Sequence, residues 1–245
     1  MPLESVEGIV LRHVNYRDWD KMLTLFTREH GKIGVGAYGA CRPKSPIRAS
    51  TEVFTRGEYQ IKTQKGRRVL ASSLVLNAHY SLRERLEALE EAVNMRDLAD
   101  ASCPVEEEPH PLLYDLLVSG LQILAEGKID PALAFVAFSL QAMDALGMGL
   151  VSKECVECGK RVEGAAFFSV PFGGAVCSEC RQSGVVSREI SPAALALLRQ
   201  LEGWALADLS IIKPHPAALA EARETIAGYV SWHLERKIGQ KTKFV

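Results

Sequence analysis

Cys155-Val156-Glu157-Cys158-Gly159-Lys160 and Cys177-Ser178-Glu179-Cys180-Arg181 are the two segments around which the chain is organised. Each opens with a CxxC pair, and 18 residues separate the pairs. A CxxC turn puts two sulfurs on one side of a tight loop, half of a tetrahedron around a zinc ion, and a second pair closes it. Gly159 after the first pair and Gly173-Gly174 before the second supply the backbone angles such turns need. The alternatives are two disulfides or four separate thiols, and the doubled spacing favours zinc over both. Four thiolates leave no open coordination position, so one structural ion is expected on Cys155, Cys158, Cys177 and Cys180, not a catalytic one. The motif lies well inside the chain, so it reads as a small inserted module.

The chain has 245 residues, 47% of them hydrophobic and 24% charged, the composition of an ordinary globular protein. Met1-Pro2-Leu3-Glu4 opens no signal-peptide pattern. The most apolar stretch, residues 133–143, is short, alanine-rich and followed by Asp144, which suits a buried helix better than a membrane span. Six cysteines, four of them in metal spacing, point to a reducing cytoplasm. Cys41 and Cys103 read as ordinary small thiols. Charge is unevenly spread: residues 1–80 hold 13 Lys/Arg against 7 Asp/Glu, residues 81–150 hold 4 against 13, and residues 151–245 hold 12 against 10. A basic first segment suits polyanions and an acidic middle segment does not.

Residues 1–80 alternate with period two in five runs, at about 6–11, 21–27, 32–38, 54–62 and 69–76, with glycines at the bends. A small antiparallel barrel is expected, because closure removes exposed edges. Between the third and fourth runs, residues 39–50 carry Arg42, Lys44 and Arg48, two prolines and no acid. A second basic cluster, Lys62, Lys65, Arg67 and Arg68, surrounds the Lys65-Gly66 turn. Either cluster alone is compatible with solvated surface.

From Ser81 the period changes. Ser81 and Glu84 fit a capping box ahead of Leu82, Leu86, Leu89 and Val93 at helical spacing. A second helix is expected from Pro111, and a third, apolar almost all round, from the Asp130-Pro131 cap to near Gly147. Residues 165–170 and 174–176 read as two short strands between the cysteine pairs. Ser191-Pro192 opens another helix, residues 217–238 a last one, and the basic tail 237–245 is expected to be mobile. The expected domains are 1–80, 81–150, 151–185 and 186–245. No GxSxG, HExxH, phosphate loop or GxGxxG follows a strand, and the six histidines show no metal spacing, which moves the weight from catalysis towards binding.

Barrel, helices, four-cysteine module and helical tail, in that order, resemble the RecO family of bacterial recombination mediators over nearly the whole chain. The most specific pieces are Asp20-Lys21-Met22-Leu23-Thr24-Leu25-Phe26-Thr27, Gly31-Lys32, Gly36-Ala37-Tyr38-Gly39 leading into Arg42-Pro43-Lys44-Ser45, and the CxxC pair after Leu146-Gly147. Tyr16-Arg17-Asp18 departs from the glutamate-bearing turn expected there. The resemblance implies an α+β chain: an N-terminal OB-fold β-barrel, then an α-helical domain carrying an inserted four-cysteine zinc ribbon. It implies no enzyme activity of its own, but binding of single- and double-stranded DNA, annealing of complementary strands, and help in loading the recombinase RecA onto strands coated by single-strand-binding protein (SSB). The implied partners are RecR, the acidic C-terminal tail of SSB and, indirectly, RecA.

Such a barrel holds strands in a basic groove with aromatics for stacking. The phosphate candidates are Lys32, Arg42, Lys44, Arg48, Lys65, Arg67 and Arg68. Tyr38, Phe54 and Tyr59 are the aromatic candidates, with core the commoner role for each, since a strand buries half its side chains. The acidic helices would repel DNA and suit protein contacts, with an apolar pocket among them for the end of a partner peptide. Two other classes compete: a zinc-ribbon adaptor acting only on proteins, and a hydrolase with an unrecognised site.

Overall fold

The coordinates are a computed structural model and describe residues 3–163 and 166–239. The chain forms two compact units, one of Met1–Glu84 with Ala99–Gln122 and one of Arg85–Leu98 with Ile123–Val245.

In the first unit, five strands, β1 (Leu3–Tyr16), β2 (Asp20–Thr27), β3 (Gly31–Ala37), β4 (Arg56–Gln64) and β5 (Arg67–Asn77), close a barrel in the order β1-β2-β3-β5-β4. This is OB-fold connectivity. β1 is longer than its apolar core suggests because it serves two neighbours. Its first half pairs with β4 and its second half with β2, and the register shifts between Val10 and Arg12. The expectation of an all-antiparallel barrel needs one correction: β3 and β5 pair in parallel at Gly36 and Val69. The reason is parity, since strand directions cannot alternate around a closed ring of five. Lys65 (φ 51°) and Gly66 (φ 75°) make the two-residue turn between β4 and β5, the positive-φ pair a tight hairpin demands. Val10, Leu25, Val35, Tyr59 and Ile61 fill the barrel, and the Tyr59 hydroxyl donates to Ser50 O at 2.9 Å.

Helix α1 (Leu86–Ser102) starts later than the capping box predicts. Tyr80–Glu84 is a separate 3-10 turn, and the buried face of α1 is Ala88, Ala92, Met95, Leu98 and Ala99, not the leucine series. Leu86 is exposed. Alanines carry the buried stripe, and an alanine stripe gives a weak hydrophobic signal. Helix α2 (Pro111–Glu126) buries Leu113, Leu117, Leu121 and Leu124.

In the second unit, α3 (Pro131–Ala145) is the centre of the core, as its composition requires: nothing from Leu133 to Leu140 is exposed. Asp130 caps it, accepting from Ala132 N at 2.8 Å. Gly147 follows at φ 74°, the left-handed residue that ends helices. Strands β6 (Ala166–Ser169) and β7 (Gly174–Val176) are the two expected ones; residue 165 lies outside the described residues. A short helix, α4 (Ser178–Gln182), follows the second cysteine pair's first member. A third strand, β8 (Arg188–Ile190), joins β6 on its free side, giving the order β7-β6-β8. Helix α5 (Pro192–Leu201) is capped by Ser191, and α6 (Pro216–His233) by the His215 ring. Both α3 and α5 pack against α6. Residues 240–245 of the tail lie outside the described residues.

Candidate metal centre and nucleic-acid interface

The four cysteines converge. Their Sγ atoms all lie within 4.8 Å of one another. A zinc ion about 2.3 Å from four sulfurs places them roughly 3.8 Å apart, and Cys158 and Cys177 Sγ stand 3.8 Å apart. All six cysteines are free, so no disulfide joins any two of them. Local hydrogen bonds set the geometry. Gly159 N donates to Cys155 O at 2.9 Å and Cys155 N to Lys160 O at 2.8 Å, which folds the first pair into a knuckle. Gly159 takes φ 71° there. Cys177 N donates to Cys155 Sγ at 3.4 Å, the kind of N–H to sulfur bond that favours a thiolate. Burial opposes ionisation of Cys155, but the backbone N–H groups of Cys177, Cys158 and Glu157 outweigh it and bring its pKa down to about 6. Desolvation and its sulfur neighbours push Cys180 up. Lys160 pairs with Glu179 at 2.7 Å across the two knuckles.

Gly174 anchors the module to the chain before it. Val151 N donates to Gly173 O at 3.0 Å and Ala175 N to Val151 O at 2.8 Å. A Cβ on Gly174 would overlap Val151 O and stand 2.6 Å from Val156 Cγ1.

On the barrel the sequence candidates separate. Arg42, Lys44, Arg48, Lys65 and Arg67 are exposed, and so is Tyr38. Phe54 and Tyr59 belong to the core. Lys32 has to be corrected. Its side chain and that of Asp100 are each 8% exposed, its ammonium donates to Asp100 Oδ1 at 2.9 Å and Asp100 O at 2.6 Å, and Arg12 pairs with the other carboxylate oxygen. A buried, paired ammonium offers nothing to a phosphate. Nothing near Lys32 in sequence signals this, because Asp100 lies 68 positions away. Arg68 pairs with Glu106 at the surface, the carboxylate side chain being 58% exposed. Cys103 is buried beside this pair, and burial pushes its thiol up to about 11, so it is an inert core thiol.

The basic loop 39–50 is fastened to the hairpin between β1 and β2. Cys41 N donates to Trp19 O at 2.9 Å and Gly39 N to Asp20 Oδ1 at 2.8 Å. Asp20 is therefore an anchor of the loop. Three of the histidines make structural contacts: His79 Nδ1 lies 2.8 Å from Phe54 O, His233 Nε2 lies 3.1 Å from Val170 O, and His215 is a helix cap. The second unit holds a cleft of about 1090 Å³ with Leu133, Ile212 and Leu219 in its lining, beside Arg188, Lys213 and Arg223 and several glutamates. Among the described residues, no helix is long and apolar enough to cross a membrane.

An OB-fold barrel, helices and a four-cysteine cluster in one chain define a modular class of protein. Two family descriptors match it end to end: "Recombination protein O N terminal" over residues 1–77 and "Recombination protein O C terminal" over residues 83–242. The chain belongs to the RecO family of DNA repair proteins. It is 32% identical over 238 residues to the DNA repair protein RecO of Pelotomaculum thermopropionicum, covering 97% of this chain and 92% of the relative. It is 34% identical over 242 residues to that of Thermobifida fusca, covering 97% and 96%. With that of Bacillus subtilis it shares 30% identity over 227 residues, covering 93% and 88%.

Proposed function

We propose that this chain is a non-enzymatic recombination mediator: it binds single- and double-stranded DNA, anneals complementary strands, and helps load RecA onto SSB-coated DNA. The observation that carries the reading is the closed OB-type barrel with an exposed cationic loop fastened to it. Annealing without sequence preference calls for contacts to phosphate, not to base edges, and Arg42, Lys44, Arg48, Lys65 and Arg67 stand outward on that unit. Partners follow the same logic. RecR and the acidic SSB tail would be met by protein surfaces and not by the barrel's cationic loop. Zinc, one structural ion on Cys155, Cys158, Cys177 and Cys180, would hold together a ribbon with little core of its own. Functionally the domains would be 1–80 for nucleic acid, 81–150 and 186–245 for partners, and 151–185 for the metal. A cytoplasmic, nucleoid-associated location follows from the proposed role.

The test is a titration of fluorescent single-stranded and duplex DNA at several salt concentrations. Five phosphate contacts at roughly −0.9 each give a duplex slope of about −4.5 in log K against log salt. Replacing Arg42, Lys44 and Arg48 by Ala should flatten it by about 2.7. An unchanged slope refutes the loop as phosphate contact. No binding at low salt refutes the mediator reading and favours an adaptor acting on proteins alone.

A further inference from the structure

We propose that Glu106 is a built-in competitor for DNA phosphate: its carboxylate occupies Arg68 on the β4–β5 hairpin and so keeps the barrel's grip on DNA looser than its cations allow. The inference rests on the DNA-binding reading above and concerns how that binding is held in check.

Of the hairpin cations, Lys65 and Arg67 stand exposed at the turn, while Arg68, opposite Thr63, pairs with Glu106. The two paired side chains are 34% and 58% exposed, so a phosphate can reach the guanidinium but has to replace the carboxylate there. One guanidinium fork fits either anion in the same way, and the two therefore exclude each other.

An ion pair between two freely moving surface side chains is worth little. This one is fixed on the acid's side by main chain. Among the described residues, β3 meets β5 at one pair, Gly36 with Val69. At Lys32 the same strand is joined instead by Val105 in a parallel bridge, and Glu106 N donates to Lys32 O at 2.8 Å. The next two carbonyls lie over Gly31, where a Cβ would stand 3.1 Å from Glu107 O and 3.3 Å from Glu108 O. Glu106 itself takes φ 65°, a conformation that a residue with a side chain keeps only where its surroundings impose it. Lys32 is in turn locked by Asp100, so the acidic segment is clamped to the core of the first unit. The backbone thus presents the Glu106 carboxylate to Arg68 before any DNA arrives. A protein that anneals strands has to leave the duplex it forms, and a resident carboxylate takes away one phosphate contact without taking away the cation.

The experiment measures the salt dependence of duplex affinity for the full chain, with melting temperatures alongside. Glu106→Gln removes the charge and keeps the shape; Glu106→Gly, suited to the positive φ, removes the side chain outright. Each should add the Arg68 contact and steepen the slope of log K against log salt by about 0.9, which is roughly eightfold tighter binding at 0.1 M salt where the curves meet at 1 M. Arg68→Ala should leave the parent slope unchanged and return the Glu106→Gln slope to the parent value. Glu108→Gln, which removes the same charge two residues on, should leave the slope as it is. An unchanged slope in both Glu106 variants, a parent slope flattened by Arg68→Ala, or an equal steepening by Glu108→Gln overturns the competitor while leaving the DNA-binding reading intact. A parent protein that binds no duplex overturns both together.

Discussion

Asp100 should be among the least replaceable polar residues of the barrel unit. Its carboxylate neutralises a lysine that, like itself, is 8% exposed, and it also holds Arg12. Asp100→Asn keeps the shape and removes the charge, leaving the Lys32 ammonium buried against a carbonyl. Breaking a buried pair from one side costs about 3–5 kcal/mol, most of it the uncompensated charge. For a chain of this length, about 2–4 °C of melting temperature per kcal/mol gives a drop of roughly 6–20 °C. The double replacement Lys32→Met with Asp100→Leu removes both charges and should recover more than half of that loss, since hydrophobic substitutes for buried pairs are often near neutral. The assay is chemical denaturation followed by circular dichroism on Asp100→Asn, on Lys32→Met and Asp100→Leu singly, and on the double. Strictly additive losses, or a loss below about 1 kcal/mol for Asp100→Asn, would refute the buried-pair account. Lys32→Met should also leave the DNA salt slope of the folded fraction unchanged, because its charge never reaches solvent.

Gly174→Ala should destabilise the ribbon by more than ~2 kcal/mol, since its Cβ would meet main chain that cannot rotate away; Gly203→Ala, with open space around it, is the control, and equal melting temperatures for the two would refute the close approach. Cys177→Ser should lower metal content from about one zinc per chain to near zero and lower the melting temperature, read by metal analysis and calorimetry; retention of both values would refute a four-thiolate site. His79 is held neutral, its pKa lowered first by burial. A group whose charged form is disfavoured on folding contributes stability above its unfolded pKa of about 6.5 that is lost as pH falls below it. His79→Gln should therefore flatten the fall in stability between about pH 7 and 5, and an unchanged pH profile would refute it.

The barrel was legible because alternation with period two and glycine at the bends are local properties. Runs at 21–27 and 32–38 coincide with β2 and β3 to within a residue. The metal cluster was legible for the same reason, as each CxxC closes its own knuckle. What escaped the sequence is long-range. The parallel β3–β5 pair follows from closure, not from any residue. β8 is three residues long and has no alternation to detect. The buried stripe of α1 is written in alanine, which hydrophobicity under-weights, while the exposed Leu86 is written in leucine. Lys32 resembled every other lysine until its partner, 68 residues on, was known.

Closure of the barrel also restricts how anything can be recruited to it. Many adaptor domains capture an extended peptide by letting it become one more strand at a sheet edge, where main-chain bonds supply affinity for almost any sequence. Here each of the five strands has two neighbours, but β3 and β5 meet at one pair only, Gly36 with Val69, so closure narrows that route to the free edge left beside this pair. Elsewhere on the barrel recognition passes through side chains, and there a partner's grip should depend on the composition of its surface residues, not on the length of free chain it can offer.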